Sequence, residues 1–204
     1  MNANLFVEYL PWLRSPRYYY ALKEIQEGWT KDDVEDALQY AVERTSPIER
    51  GNSSFSEDIP SELRDLYGGR SLEKISLIGG ISFWSEPKKL NQGWGFADMS
   101  EVNFVVAPAG RIEAFAANPI RGMPGATDCL GVLAKDLGSC LEALLYAQLN
   151  RSHFLRGFPD ENPILFERTV LVAKHCALIA GGYEYYDFWA GIMGLPPEKA
   201  EPQP

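Results

Sequence analysis

Residues 101–149 combine short β-prone segments with one amphipathic helix, and this order restricts the folds open to the chain. Residues 103–107 and 111–117 are apolar or β-prone, and residues 108–110 (Pro-Ala-Gly) between them form a short turn in which Gly suits a positive φ. Residues 129–134 are a third apolar segment. The sequence therefore predicts a β-hairpin followed by a third short strand.

The helix predicted at residues 136–149 has apolar side chains at the spacing of one helix face. Positions i, i+3, i+4, i+7 and i+8 are occupied by Leu137, Cys140, Leu141, Leu144 and Leu145. Such a helix buries its stripe against a neighbouring layer. We therefore expect an α+β fold, in which a small, mostly antiparallel sheet is covered by helices and has helical N- and C-terminal segments.

The length of 204 residues suits a single domain. We predict one α+β domain at residues 1–195 and a disordered tail at 196–204, which is charged and rich in proline. Within the domain we expect three parts, namely a helical N-terminal part at 1–50, a sheet-and-helix core at 58–149 and C-terminal helices at 162–194.

Local signals inside these parts predict further elements. Residues 61–67 suit a short helix that ends at two glycines, and residues 74–84 suit a strand interrupted by Gly79 and Gly80. Residues 85–100 have the composition of a loop, in which the large ring of Trp94 needs burial. Further helices are predicted at 163–180 and 184–193.

Charge and cysteine content exclude several classes of protein. The formal net charge is −9, from 28 acidic against 19 basic residues, which argues against a nucleic-acid binder and permits a basic protein partner. An acidic net charge is also explained by solubility alone, without any basic partner. The three cysteines form no CxxC pair and favour a reducing compartment. The first residues resemble no secretion signal, and no segment is apolar enough to span a membrane. We expect a cytoplasmic protein.

The sequence has no motif for catalysis, metal or cofactor binding. Zinc ligands usually come in closely spaced pairs, and here only His175 and Cys176 are adjacent, about 100° apart on a helix. We expect no cofactor, no metal and no catalytic residue. The alternative is a small-ligand enzyme that uses Cys129 and His153 in a pocket between the sheet and the terminal helices.

Two acidic runs are the candidate partner-binding residues. The first, residues 32–36, suits the N-terminus of a helix because acids there favour the macrodipole, yet four acids exceed what capping requires. The second lies at residues 57–65 and includes Glu57 and Asp58. From both runs we select as partner-binding residues Asp32, Glu35, Asp36, Glu62 and Asp65.

Aromatic residues cluster near both ends of the chain, at residues 18–20 and 183–189. Consecutive aromatic residues on a helix cannot all face one core. Either the terminal helices pack on each other and bury them, or they form the contact of a scaffold or homo-oligomer. The oligomeric state therefore stays open.

Three segments between residues 58 and 147 resemble the SUKH superfamily, which includes many bacterial toxin-immunity proteins and a fungal regulator of cell-wall synthesis. They are residues 59–69 (Ile-Pro-Ser-Glu-Leu-Arg-Asp-Leu-Tyr-Gly-Gly), the hairpin formed by 104–107 and 110–115, and the strand and helix at 131–145. The chain departs from the family where Gly68-Gly69 replaces the usual Asn-Gly. The family has no catalytic residues to carry over.

The resemblance implies a stoichiometric binding protein that occupies the active site of a basic toxin acting on nucleic acid. We therefore expect a bacterial immunity protein that is not an enzyme and neutralises a cognate protein toxin. It would bind neither nucleic acid nor a membrane.

Overall fold

The computed structural model describes residues 3, 5–8, 48–51, 54–73, 75, 77–117, 129–150 and 163–196. The helices predicted between residues 15 and 44, with the aromatic cluster at 18–20, lie outside the described residues, as does almost all of the predicted tail. Residues 3 and 5–8 are helical. The fold is α+β, as the sequence predicts.

Within the described residues, seven strands form two sheets. The small sheet pairs β1 with β2 in antiparallel fashion, and the large sheet has the order β3-β4-β5-β6-β7, with each strand antiparallel to the next. The strands are β1 Glu49–Arg50, β2 Arg70–Ser71, β3 Ser82–Leu90, β4 Gly93–Met99, β5 Val102–Val106, β6 Ile112–Ala116 and β7 Cys129–Ala134.

Four α-helices are described after the first strand. They are α1 Ser61–Tyr67, α2 Leu137–Leu149, α3 Pro163–Ala180 and α4 Tyr186–Ile192, the last preceded by a 3₁₀ turn at Tyr183–Tyr185. Helix α2 packs against α3, and α1 contacts both α2 and β3. Within the described segments, none of the helices has the combination of length and apolar character required to cross a bilayer.

The predicted hairpin, third strand and covering helix are confirmed. Strands β5 and β6 pair in register from Val102 opposite Ala116 to Val106 opposite Ile112, and Gly110 in their turn has φ 85°. Asp136 caps α2 by accepting a hydrogen bond from the Ser139 backbone N–H at 2.7 Å. The five stripe residues of α2 are all buried.

The prediction of a loop at residues 85–100 is wrong, because most of this segment belongs to β3 and β4. Proline, lysine and glycine suggested a loop, but β3 is an edge strand, where proline and lysine are tolerated and discourage pairing with another chain. The register between β3 and β4 shifts between Phe83 and Lys88, so Pro87 falls in the irregular part. Gly95 leaves room for the Trp84 ring, because a Cβ there would lie 2.5 Å from it.

The predicted strand at residues 74–84 is only partly correct. Residues Ile78–Gly80 form a 3₁₀ turn, and the strand begins at Ser82. Gly79 has φ 70°, which reverses the chain before the strand. The backbone N–H of Ile78 donates to the Gln148 side-chain carbonyl at 2.7 Å, so this turn is fixed to the end of α2.

The main core lies between one face of the large sheet and the helices. Phe83, Phe96 and Phe104 point into it from adjacent strands, and the Phe83 and Phe96 ring centroids are 6.2 Å apart. Trp189 of α4 is fully buried, and its indole N–H donates to the Leu133 carbonyl at 3.2 Å. The C-terminal helix is thereby attached to the second edge of the sheet.

Candidate functional site

Four segments that are distant in sequence meet at one end of the large sheet. Because consecutive strands are antiparallel, the β3–β4 turn at residues 91–92 and the β5–β6 turn at residues 107–111 lie at the same end, hereafter the turn end. Strand β7 also finishes there, since Ala134 pairs with Ile112, so α2 begins at this end. The approach to α1 completes the arrangement.

A groove of about 440 Å³ opens between these segments at the turn end. This volume lies within the range of about 300–1,000 Å³ that is usual for ligand sites. The lining combines polar side chains with an apolar wall, and it includes Asp58, Glu62, Lys89, Asn91, Trp94 and Leu137.

Lys89 and Trp94 form the central pair of the groove. They are directly opposite each other on β3 and β4, so both side chains leave the same face of the sheet. The Lys89 ammonium lies 5.6 Å from the centroid of the Trp94 ring, within the distance of a cation–π interaction. The same ammonium forms an ion pair and hydrogen bond with the Asp58 carboxylate.

The Asp58 carboxylate is held in its charged form by two donors. Hydrogen bonds from Lys89 and from the Ser56 hydroxyl, the latter at 2.6 Å, lower the pKa of Asp58 below its ordinary value of 3.8. The Asp58 and Lys89 side chains remain 51% and 66% exposed, so water competes for this pair. The groove thus contains a charged pair that is formed but accessible.

The predicted acidic residues of α1 lie at and beside the groove. Glu62 lines it, and its carboxylate accepts a hydrogen bond from the Ser61 hydroxyl at 3.1 Å. Asp65 is exposed three residues later on the same helix and is not part of the lining. The remaining candidates, Asp32, Glu35 and Asp36, lie outside the described residues.

Sequence reasoning missed Lys89 and recognised Trp94 only as a ring that needs burial. Their pairing depends on the register of β3 and β4. The interpretation of residues 85–100 as a loop contains neither strand and therefore predicts no such pairing. The available signal was the two-residue spacing of Asn91 and Gln92 between Leu90 and Gly93, which suits a tight hairpin turn.

A second lysine–tryptophan pair lies on the opposite face of the sheet. Lys88 is 5.5 Å from the centroid of the Trp84 ring, and this ring covers Gly95. The Trp84 indole N–H donates to the Asp98 carboxylate at 2.6 Å. Because Gly95 follows Trp94 in the same strand, the two tryptophans point to opposite faces. This pair is therefore outside the groove.

The three cysteines occupy different environments, and all are free. Cys140 and Cys176 are fully buried, as their apolar helix faces indicate, and burial raises the pKa of each thiol to about 12. These two thiols are protonated near neutral pH and are poor nucleophiles. Cys129 is exposed at the start of β7, at the end of the sheet opposite the groove. Its suggested partner His153 lies outside the described residues.

The C-terminal aromatic residues divide between core and surface. Tyr186 and Trp189 are buried, whereas Tyr183 is 61% exposed. The Phe188 ring meets the Phe104 ring edge-on at 5.7 Å, so α4 contributes to the cover of the sheet. His175 is exposed and bonds the Leu171 carbonyl at 2.9 Å. In the part of the chain that the structure describes, no three His, Cys, Asp or Glu side chains are placed to hold one metal ion.

Comparisons of this chain with protein-family models, with curated proteins and with solved structures find no match. The SUKH resemblance therefore stays a prediction from the sequence.

Proposed function

We propose that this protein is a non-enzymatic binding protein of the bacterial immunity type, which neutralises a cognate toxin by stoichiometric binding. The observation that carries the proposal is the groove at the turn end, which Asp58, Glu62 and Trp94 all line. A partner with a basic surface complements this chemistry, because opposite charges accelerate encounter and an aromatic side chain supplies contact area.

Two further properties support the same proposal. The net charge of −9 favours encounter with a basic protein, and the SUKH-like segments include the α1 residues that line the groove. The buried thiols of Cys140 and Cys176 are unsuited to nucleophilic chemistry, and Cys129 is at the far end of the sheet. We place the protein in the cytoplasm, where its free cysteines stay reduced.

The test is a titration of toxin activity with the full-length protein. The protein to test as the toxin is the product of a gene next to the one that encodes this chain, and the readout is growth protection on co-expression together with inhibition of that purified product. A stoichiometric inhibitor ends toxin activity at one equivalent, whereas an enzyme that modifies the toxin acts at a small fraction of an equivalent. Absence of protection and of a complex would refute the proposal.

Charge reversal at the groove tests the surface that binds. In Glu62→Arg we expect the association rate constant to fall several-fold at low ionic strength, and we expect this difference to narrow as salt screens the charges. Glu101→Arg is the matched control, because Glu101 is an exposed carboxylate in the β4–β5 turn at the opposite end of the sheet. Equal effects of the two variants would indicate an effect of net charge alone.

A further inference from the structure

The groove brings together two kinds of surface that one cationic group can satisfy at the same time. Asp58, Glu62 and Trp94 all line it, so the groove combines two acidic residues with an aromatic one. A guanidinium group donates up to five hydrogen bonds in its plane and presents an apolar face above and below it. An arginine side chain can therefore bond carboxylates with its edge while its face rests on the indole.

The free protein already holds a cation at this position. The Lys89 ammonium is bonded to the Asp58 carboxylate and lies 5.6 Å from the Trp94 centroid. The carboxylate and the ring are thus arranged to accept a positive charge between them. Lys89 is contributed by the protein itself, so its charge stands where the charge of an incoming side chain would stand.

Displacement of Lys89 is not costly, because its side chain is mostly exposed. An exposed ion pair between flexible side chains contributes little to stability, since water and side-chain entropy oppose it. The released ammonium passes into water without the loss of a buried contact. Lysine is also the weaker ligand of the two, because an ammonium is a compact charge that cannot bond in a plane and stack at once.

The groove has one more negative charge than Lys89 can neutralise. Glu62 lines the same space, and within the described residues its carboxylate takes part in no ion pair. The bond it does accept comes from the neutral hydroxyl of Ser61. Exchange of an ammonium for a guanidinium brings additional donors to a site with two carboxylates.

We infer that the groove is the receptor for one arginine side chain of the protein partner, and that Lys89 occupies the place of this arginine until the partner binds. This inference rests on the proposed function, because it names the group through which a basic toxin engages the site. The partner's arginine would lie against Trp94, bonded to Asp58 and Glu62, with Lys89 turned out to solvent.

The test uses a capped tripeptide, acetyl-Gly-Arg-Gly-amide, with the full-length protein. The same peptide with citrulline in place of arginine keeps the shape and removes the charge. Dissociation constants are measured by NMR from the shift of the Trp94 indole N–H, and the Trp84 indole serves as an internal reference. We expect saturable binding of the arginine peptide at the Trp94 signal, weaker binding of a lysine peptide and no binding of the citrulline peptide.

Removal of the internal competitor gives the decisive comparison. In Lys89→Ala we expect the arginine peptide to bind about two- to six-fold more tightly, because an exposed pair of this type is closed for about one-half to five-sixths of the time. Lys88→Ala makes the same change in net charge at a lysine that covers the other tryptophan, and it should leave the affinity unchanged. Asp58→Asn should weaken binding several-fold, and Glu101→Gln, which removes an exposed carboxylate at the opposite end of the sheet, should not.

The outcomes separate this inference from the proposed function. An unchanged affinity in Lys89→Ala, an equal gain in Lys88→Ala or equal binding of citrulline would overturn the arginine site even if the protein neutralises a toxin. Tighter peptide binding in Lys89→Ala alone supports the arginine site, and a failure of toxin protection would then refute only the choice of partner.

Discussion

The hydroxyl of Tyr67 connects the helix that carries Glu62 to the strand that carries Trp94, and its removal should destabilise the fold. The Tyr67 hydroxyl donates to the backbone carbonyl of Phe96 at 2.7 Å, and both side chains are fully buried. Phe96 is paired with no residue of β3 and no residue of β5, because the register of both strand pairs shifts at this position. The tyrosine thus supplies a hydrogen bond at the point where the sheet is irregular.

In Tyr67→Phe the Phe96 carbonyl loses this donor while it remains buried. An unsatisfied buried acceptor costs about 1–3 kcal/mol, so we expect the free energy of unfolding to fall by about 2 kcal/mol. For a domain of this size that fall corresponds to a decrease of about 4–8 °C in Tm. Burial raises the pKa of Tyr67, so the hydroxyl remains a donor at neutral pH.

The measurement is urea unfolding followed by far-UV circular dichroism and by tryptophan fluorescence. The dependence of the unfolding free energy on urea should be unchanged, because the surface exposed on unfolding is the same. Tyr183→Phe is the matched control, since it removes the same atom from a side chain that is 61% exposed, and its effect should stay within about 0.5 kcal/mol. A loss below about 0.5 kcal/mol in Tyr67→Phe would refute the reasoning, since it would mean that the Phe96 carbonyl does not depend on this hydroxyl.

Two further predictions concern the reactivity and ionisation of single side chains. Ellman's reagent at pH 8 should label one thiol in the native protein, that of exposed Cys129, and all three thiols after denaturation. The Cys140 and Cys176 thiols should not react in the native protein because burial raises the pKa of each to about 12. Rapid labelling of a second thiol would contradict their burial. NMR of the Asp58 carboxyl carbon should give a pKa below 3.8, and this pKa should rise in Lys89→Ala. The stabilisation from this ion pair is therefore present above pH 3.8 and is lost as the pH falls through the folded-state pKa. An equal Asp58 pKa in both proteins would exclude the ion pair in solution.

The second half of the fold could be predicted because its signals are local. The stripe of α2 repeats with the helical period, Gly110 supplies the positive φ of the β5–β6 turn, and β7 has the bounds that its apolar run suggests. In each case the residues that determine the element lie inside it or next to it. Such local preferences predict the folded structure because the tertiary contacts of these elements favour the same conformations.

The strands at residues 85–100 could not be predicted because proline and glycine usually indicate a loop, whereas the position of this segment in the sheet allows both in a strand. Pro87 is tolerated since β3 lies at the edge of the sheet and is irregular there, and Gly95 is present because Trp84 covers it. Both reasons refer to neighbouring segments that the sequence of this stretch does not contain. The groove was missed for the same reason, since Asp58 and Lys89 meet only after the strand has formed.

The position of Lys89 connects the protection of the sheet with the chemistry of the groove. A long edge strand invites pairing with another chain, and a charged side chain there opposes it. Lys89 meets that need from a position directly opposite Trp94, so its ammonium is placed over the ring by the register of the hairpin. Lys88 provides charge on the other face of the same edge, over Trp84. Lys89 differs from Lys88 in its ion pair with the Asp58 carboxylate. A lysine that only protected the edge strand would need no such ion pair and could extend into solvent.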